Sequence, residues 1–153
     1  MLYPVPAVLV SVADSEGKDN LITIAWTGTV CSDPAMTYIS VRKERYSHHM
    51  LKENKEFVIN LVSKEICRAA DFCGVRSGRD LDKFAAAGLT TEAGETVSVP
   101  VIKGCGLHLE CKIVEHYTMA EDKFDKELGE KWYANKDWHT CYTGIITAAY
   151  VEE

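Results

Sequence analysis

Apolar and polar positions follow a strand-like rhythm over most of this chain. Ala7 to Ala13 (AVLVSVA) is a short apolar run rich in valine. A polar turn, Asp14 to Asn20 (DSEGKDN), separates it from Leu21 to Val30 (LITIAWTGTV). The β-branched and aromatic content of that second run predicts another strand. Met36 to Val41 alternates apolar and polar residues, as a half-buried strand does. Phe57 to Val62 reads as a buried strand, and Gly106 to Tyr117 and Thr140 to Val151 as long ones. Three short helices are predicted between them. The first is Tyr46 to Asn54, with Ser47 as its N-cap. The second is Lys64 to Phe72, with Ile66, Ala69 and Ala70 on one face. The third, Asp80 to Ala87, is ended by Gly88. The expected fold is mainly β, an antiparallel barrel, closed or partly closed, with a few helices. No repeat, low-complexity segment or linker divides it, so residues 1–153 are expected to form one domain.

Composition narrows the class. A chain of 153 residues with 46% apolar content can bury one ordinary core. No apolar run reaches the ~18 residues of a membrane span, and the start, MLYPVPAVLVSV, lacks a basic leader region. A cytoplasmic protein without membrane contact is expected. The net charge of −6, with both signs mixed along the chain, disfavours nucleic acid as a partner. It leaves room for a local basic pocket. The six cysteines, Cys31, Cys67, Cys73, Cys105, Cys111 and Cys141, form no C-x-x-C pair. No histidine joins them at zinc-finger spacing, so reduced, mostly buried thiols and no metal site are expected. His48, His49, His108 and His116 share no spacing that argues for a site and read as surface or interface residues.

The chemistry concentrates between Asn20 and Ser47, NLITIAWTGTVCSDPAMTYISVRKERYS. Its loops carry Thr27, Gly28, Thr29, Ser32, Asp33 and Pro34, then Arg42, Arg45 and Ser47. A ligand with a flat apolar body and an anionic tail needs such a surface. Small residues and hydroxyls let the backbone approach a ring, and Gly28 permits the closest approach. Arginines and a hydroxyl can hold a phosphate through charge-assisted hydrogen bonds. No G-x-G-x-x-G or P-loop occurs, so any dinucleotide would be a transient visitor to the same cleft.

The order and spacing of these residues resemble the flavin reductase-like family, the flavoredoxin branch of the FMN-binding split barrels. Three later blocks fit the same pattern: EFVINL at Glu56 to Leu61, CGVRSGRDLDKF at Cys73 to Phe84, and LECKIVE at Leu109 to Glu115. The resemblance implies an antiparallel Greek-key split barrel that binds FMN and works as a homodimer. It implies a flavin wall of Trp26, Thr27, Gly28, Thr29, Val30 and Cys31, with Asn20, Ser40 and Val41 nearby. For Trp26, plain core burial is the competing reading. Ser47 and Lys83 are implied at the flavin phosphate, with Arg42 or Arg45; the two arginines cannot both be assigned. His139, ahead of the last strand, is the one candidate for a catalytic role toward a nicotinamide or a partner. NADH or NADPH is the implied transient hydride donor. Three activities stay open: a flavin reductase-like oxidoreductase acting on free flavin or another acceptor, an electron carrier between redox proteins, and a binding module for FMN or another planar ligand without turnover. The pattern breaks at Ala120 to Asp137 (AEDKFDKELGEKWYANKD), where relatives have a shorter connection. Residues 121–137 are read as an insertion, either a lid or a solvated helix whose aromatics pack on the barrel.

Overall fold

The computed structural model describes residues 6–151. The first five residues, which carry part of the reading of the chain's start, lie outside it. The chain forms the expected mainly β architecture. β1 (Val8–Ala13) pairs antiparallel with β2 (Asp19–Ile24) on one side and β5 (Glu56–Leu61) on the other. β3 (Thr27–Ser32) and β4 (Ala35–Arg42) make a hairpin. β6 (Thr91–Glu92) and β7 (Val101–Ile102) form a small separate ladder. The long β8 (Leu107–Thr118) and β9 (His139–Tyr150) pair with each other and complete the large sheet, in the order β2-β1-β5-β8-β9-β4-β3.

The predicted single strand Leu21 to Val30 is two strands. The chain leaves the sheet at Ala25–Trp26 and re-enters it at the opposite edge. β2 and β4 are in contact there, and the Ser40 N–H donates to the Trp26 carbonyl at 2.9 Å. This brings the edges together and curls the sheet into a barrel.

β1 is buried along its whole length because both its faces are covered. Successive side chains of a strand point to opposite faces. Val8, Val10 and Val12 therefore enter the barrel core with Ile39, Phe57 and Tyr142, while Leu9 packs outward with Leu21, Ala70 and Cys73. Burying each such side chain contributes roughly 1.5–3 kcal/mol.

Four helices are described. α1 (Ser47–Asn54) plugs the barrel with Met50 and Leu51, both fully buried. Its N-cap position is Tyr46 and no side chain caps it, so Ser47 is not the cap that its residue type predicted. α2 (Cys67–Gly74) starts three residues later than its pattern suggested, after a turn closed by the Ile66 N–H on the Ser63 carbonyl. α3 (Lys83–Ala87) is capped by the Asp82 carboxylate, which accepts from the Phe84 and Ala85 N–H groups, and ends at Gly88 with φ 66°. α4 (Lys126–Trp132), capped by Asp125, lies within residues 121–137.

Candidate functional site

The crossing at Ala25–Trp26 leaves a cleft beside it. The cleft encloses about 1270 Å³, more than the ~300–1,000 Å³ of most small-molecule sites. β2 and the end of β4 form its floor. The 73–79 segment and α3 form one end, and the insertion with His139 forms the other. Arg45 stands within electrostatic reach of both Lys83 and His139. Arg42, Arg45, Arg76, Arg79 and Lys83 line the cleft, against the single carboxylate Glu44. In a chain of net charge −6, this is a local field of opposite sign, suited to an anion.

The first end is built around Asn20, 4% exposed. Its Nδ2 donates to Ser47 Oγ at 3.0 Å. A hydroxyl that accepts keeps its own proton to donate, so buried Ser47 retains one O–H for a ligand. Gly78 packs directly on the Asn20 amide, and a Cβ there would collide with Asn20 and stand 2.9 Å from Tyr46. Only glycine leaves this cradle open. Lys83 opens α3 and is 4% exposed, yet its ammonium makes one hydrogen bond, to the Cys73 carbonyl at 3.2 Å. An ammonium has three N–H groups, which leaves two for the cleft it lines. Burial holds Lys83 below its ordinary pKa; Cys73 opposes that shift and Arg45 adds to it. Arg79 donates to the Glu44 carbonyl at 2.9 Å and lies over the Tyr46 ring.

The second end is built by the insertion. Arg42 pairs with the buried Asp137 at 3.7 Å, reaches the Trp132 carbonyl at 3.4 Å and lies over the Tyr133 ring. Asp137 also accepts from the Glu44 N–H at 2.9 Å. His139 sits opposite Arg42 in the β4–β9 register. Burial lowers its pKa; Arg42 and Arg45 lower it further and Asp137 opposes them. Residues 121–137 hold the short α4, and Phe124 and Tyr133 on either side of it pack with the following Trp138 as one aromatic cluster. Phe124, Leu128, Trp132 and Tyr133 also wall the cleft.

Behind both ends runs a buried polar chain. His48 Nε2 lies 3.1 Å from Thr140 Oγ1, which lies 2.9 Å from Thr118 Oγ1. Burial, then Lys52 and Lys43, push the His48 pKa down to about 4, with Asp137 opposing.

The structure gathers Asn20, Trp26, Ser40, Val41, Arg42, Arg45, Ser47, Lys83 and His139 around one cleft. Trp26 is 49% exposed, so core burial is not its role. Thr27, Gly28, Thr29, Val30 and Cys31 are not among the lining residues. They belong to β3, an edge strand, where the Thr27 hydroxyl donates to the Tyr38 carbonyl and Val30 and Cys31 are exposed. Gly28 gives room to Tyr38, whose ring stands 3.0 Å from where its Cβ would be. His48 and His108 are buried, not on the surface, because partners distant in sequence, Thr140 and Asn60, satisfy them. Cys73, Cys105 and Cys111 are buried, whereas Cys31 and Cys67 are exposed. Sequence reasoning missed Arg76, Ser77, Gly78 and Arg79. All four lie in the CGVRSGRDLDKF block, whose internal glycine and arginines were the available signal.

The model of the flavin reductase like domain matches residues 1–153. Two solved flavoredoxins are similar throughout. That of Desulfovibrio vulgaris (Miyazaki F) is 30% identical with a TM-score of 0.80, over 99% of this chain and 72% of the other. That of Methanosarcina acetivorans is 31% identical with a TM-score of 0.79, over 100% of this chain and 72% of the other. A protein of Archaeoglobus fulgidus is 32% identical over 114 residues, which is 74% of this chain and 63% of that protein.

Proposed function

This chain belongs to the flavin reductase-like domain family, and from that premise we propose that it is an FMN-binding oxidoreductase that draws electrons from NADH or NADPH and hands them to free flavin or another acceptor. The observation that carries this reading is the basic end of the cleft. Lys83 has two N–H groups to spare and Ser47 one O–H among the described residues, and Gly78 leaves open the space against Asn20 and Tyr46 in the same cleft. These fit a compact phosphate. Arg45, free of ion pairs among the described residues, is the arginine that would join them, because Arg42 is held by Asp137. Asn20 orients Ser47. Trp26 and Val41 offer an apolar floor to a flat ring, and His139 offers a polar group at its far edge.

Bound FMN supplies two-electron chemistry between a hydride donor and an acceptor. The residues present do the binding, orienting and water exclusion that such chemistry needs, and no protein acid or base is required for the hydride itself. Anaerobic mixing of the yellow protein with NADH or NADPH tests the reading. Bleaching of the flavin supports it. Protein that binds no flavin, or releases mainly FAD, refutes it.

A second reading, an electron carrier between redox proteins, is favoured by the similarity to two flavoredoxins. It is distinguished by absence of bleaching with either nucleotide and reduction by a ferredoxin-type protein. In either case we propose a C₂ homodimer in the cytoplasm. Val30, Val114 and Tyr117 are each more than half exposed on the sheet, and a second copy would cover them. Light scattering should give about twice the 17.1 kDa chain mass. Among the described residues no helix is long and apolar enough to cross a membrane.

A further inference from the structure

Tyr133 follows α4 and stands beside β9. Its ring stacks on the buried Trp138, 4.3 Å between centroids and 13° between planes, with Phe124 edge-on at 5.5 Å. The ring has little freedom, so its hydroxyl has a fixed place. That place is 2.8 Å from His139 Nδ1 and 3.7 Å from Met119 Sδ.

A phenol has one proton to donate, and a thioether sulfur is a weak acceptor. An unprotonated imidazole nitrogen is a far better one, and 2.8 Å is an ordinary strong hydrogen-bond length. The Tyr133 proton therefore goes to Nδ1. Nδ1 then holds the lone pair, and the ring proton sits on Nε2. Nε2 makes no hydrogen bond among the described residues, and His139 lines the cleft. The surroundings keep the imidazole uncharged. Arg42 on β4 and Arg45 ahead of α1 oppose a further positive charge, burial does the same, and only Asp137 favours it.

We propose that Tyr133, contributed by the insertion, is the positioning residue of His139: its hydroxyl fixes the Nε2–H tautomer and so presents one neutral donor to the cleft. The group that such a donor recognises is a carbonyl oxygen or a ring nitrogen on the edge of a flat heteroaromatic ligand. The ligand class rests on the flavin and nicotinamide reading above; the tautomer does not.

The tautomer is read on ¹⁵N-labelled protein without ligand, at about pH 8 where imidazoles are neutral, by long-range ¹H–¹⁵N correlation. His139→Asn identifies the signals. Wild type should show an unprotonated Nδ1 and a protonated Nε2. Tyr133→Phe keeps the ring and its stack but lacks the hydroxyl. Its His139 signals should move toward a mixture of tautomers. Met119→Leu removes the other acceptor and should leave the tautomer as in wild type. An Nδ1–H tautomer in wild type overturns the proposal, and that result does not depend on any variant folding. So does an unchanged tautomer in Tyr133→Phe, or a change in Met119→Leu as large as that in Tyr133→Phe. FMN added to Tyr133→Phe should bind about 3- to 10-fold more weakly, the value of one neutral hydrogen bond. Wild type with the expected tautomer but no affinity for flavin supports the positioning role and refutes the flavin reading.

Discussion

Arg45, Arg76, Arg79 and Lys83 line the cleft together with Asn20 and Ser47, and none of the four has an ion pair among the described residues. At the second end, Arg42 is engaged three times over, by Asp137, the Trp132 carbonyl and the Tyr133 ring. The two ends use the same residue type for opposite purposes. Cations without a carboxylate are available to an anionic ligand. A cation already neutralised fixes the wall against which an uncharged part of a ligand can lie. Charge count already favours the first end, and partner geometry widens the difference by neutralising the cation of the second.

His48 joins the two ends. It follows Ser47 in sequence, and its Nε2 meets Thr140, the residue after His139. Protonating it should give the largest effect. An unfolded imidazole titrates near 6.5, and folded His48 near 4. Above 6.5 neither state binds the proton and stability is full. As pH falls, the unfolded chain takes the proton first, so stability drops until about pH 4. At 1.36 kcal/mol per pKa unit the loss is on the order of 3 kcal/mol, and His139 adds in the same direction. Urea unfolding from pH 7 to 4 should show this loss, largely absent in His48→Gln. A flat profile in wild type would break the link between the ends.

Lys83→Met keeps the stem and removes the charge. FMN should bind about 10- to 100-fold more weakly, as expected for roughly 1.5–3 kcal/mol from a charged hydrogen bond. Riboflavin, which lacks the phosphate, should be nearly unaffected in fluorescence titration. Equal weakening of both would place the phosphate elsewhere.

The contrast between these two residues also marks how far the amino-acid pattern could be read. Strands with β-branched runs and the Gly88 stop are local features, and these were legible; the caps were not, since Asp82 caps α3 and no side chain caps α1. The break at Ala25–Trp26 was not, because LITIAWTGTV has strand propensity throughout and only the far edge of the sheet decides where the chain must cross. Lys83 and Ser47 were legible through the blocks that contain them. Arg76 and Arg79 were passed over because isolated arginines are usually solvated. The role of Asp137 could not be read, since it depends on Arg42 and Glu44, about ninety residues earlier in sequence.

Asp137→Ala probes the neutralised end. It deprives the Glu44 N–H of its acceptor and Arg42 of its partner, and should cost about 1–2 kcal/mol of stability in chemical denaturation. The ratio of FMN to riboflavin affinity should stay as in wild type. A selective loss of FMN would mean that both ends share the phosphate.

The smallest effect is expected from Ser47→Ala. It removes one hydroxyl and no charge, so FMN should weaken less than tenfold, about 0.5–1.5 kcal/mol. A loss exceeding that of Lys83→Met would shift the weight of the basic end from charge to the Asn20–Ser47 pair.

The crossing at Ala25–Trp26 has a mechanical consequence. Among the described residues the large sheet is laced strand to strand, while across the seam between β4 and the end of β2 the Ser40–Trp26 hydrogen bond is a single stitch. The cleft floor straddles that seam, with Asn20 and Thr23 on one lip and Ser40 and Arg42 on the other. A ligand lying there acts as a rivet across the gap. Whatever fills the cleft should slow amide exchange in both lips together and raise the unfolding free energy by about 2.7 kcal/mol at a hundredfold excess over its dissociation constant.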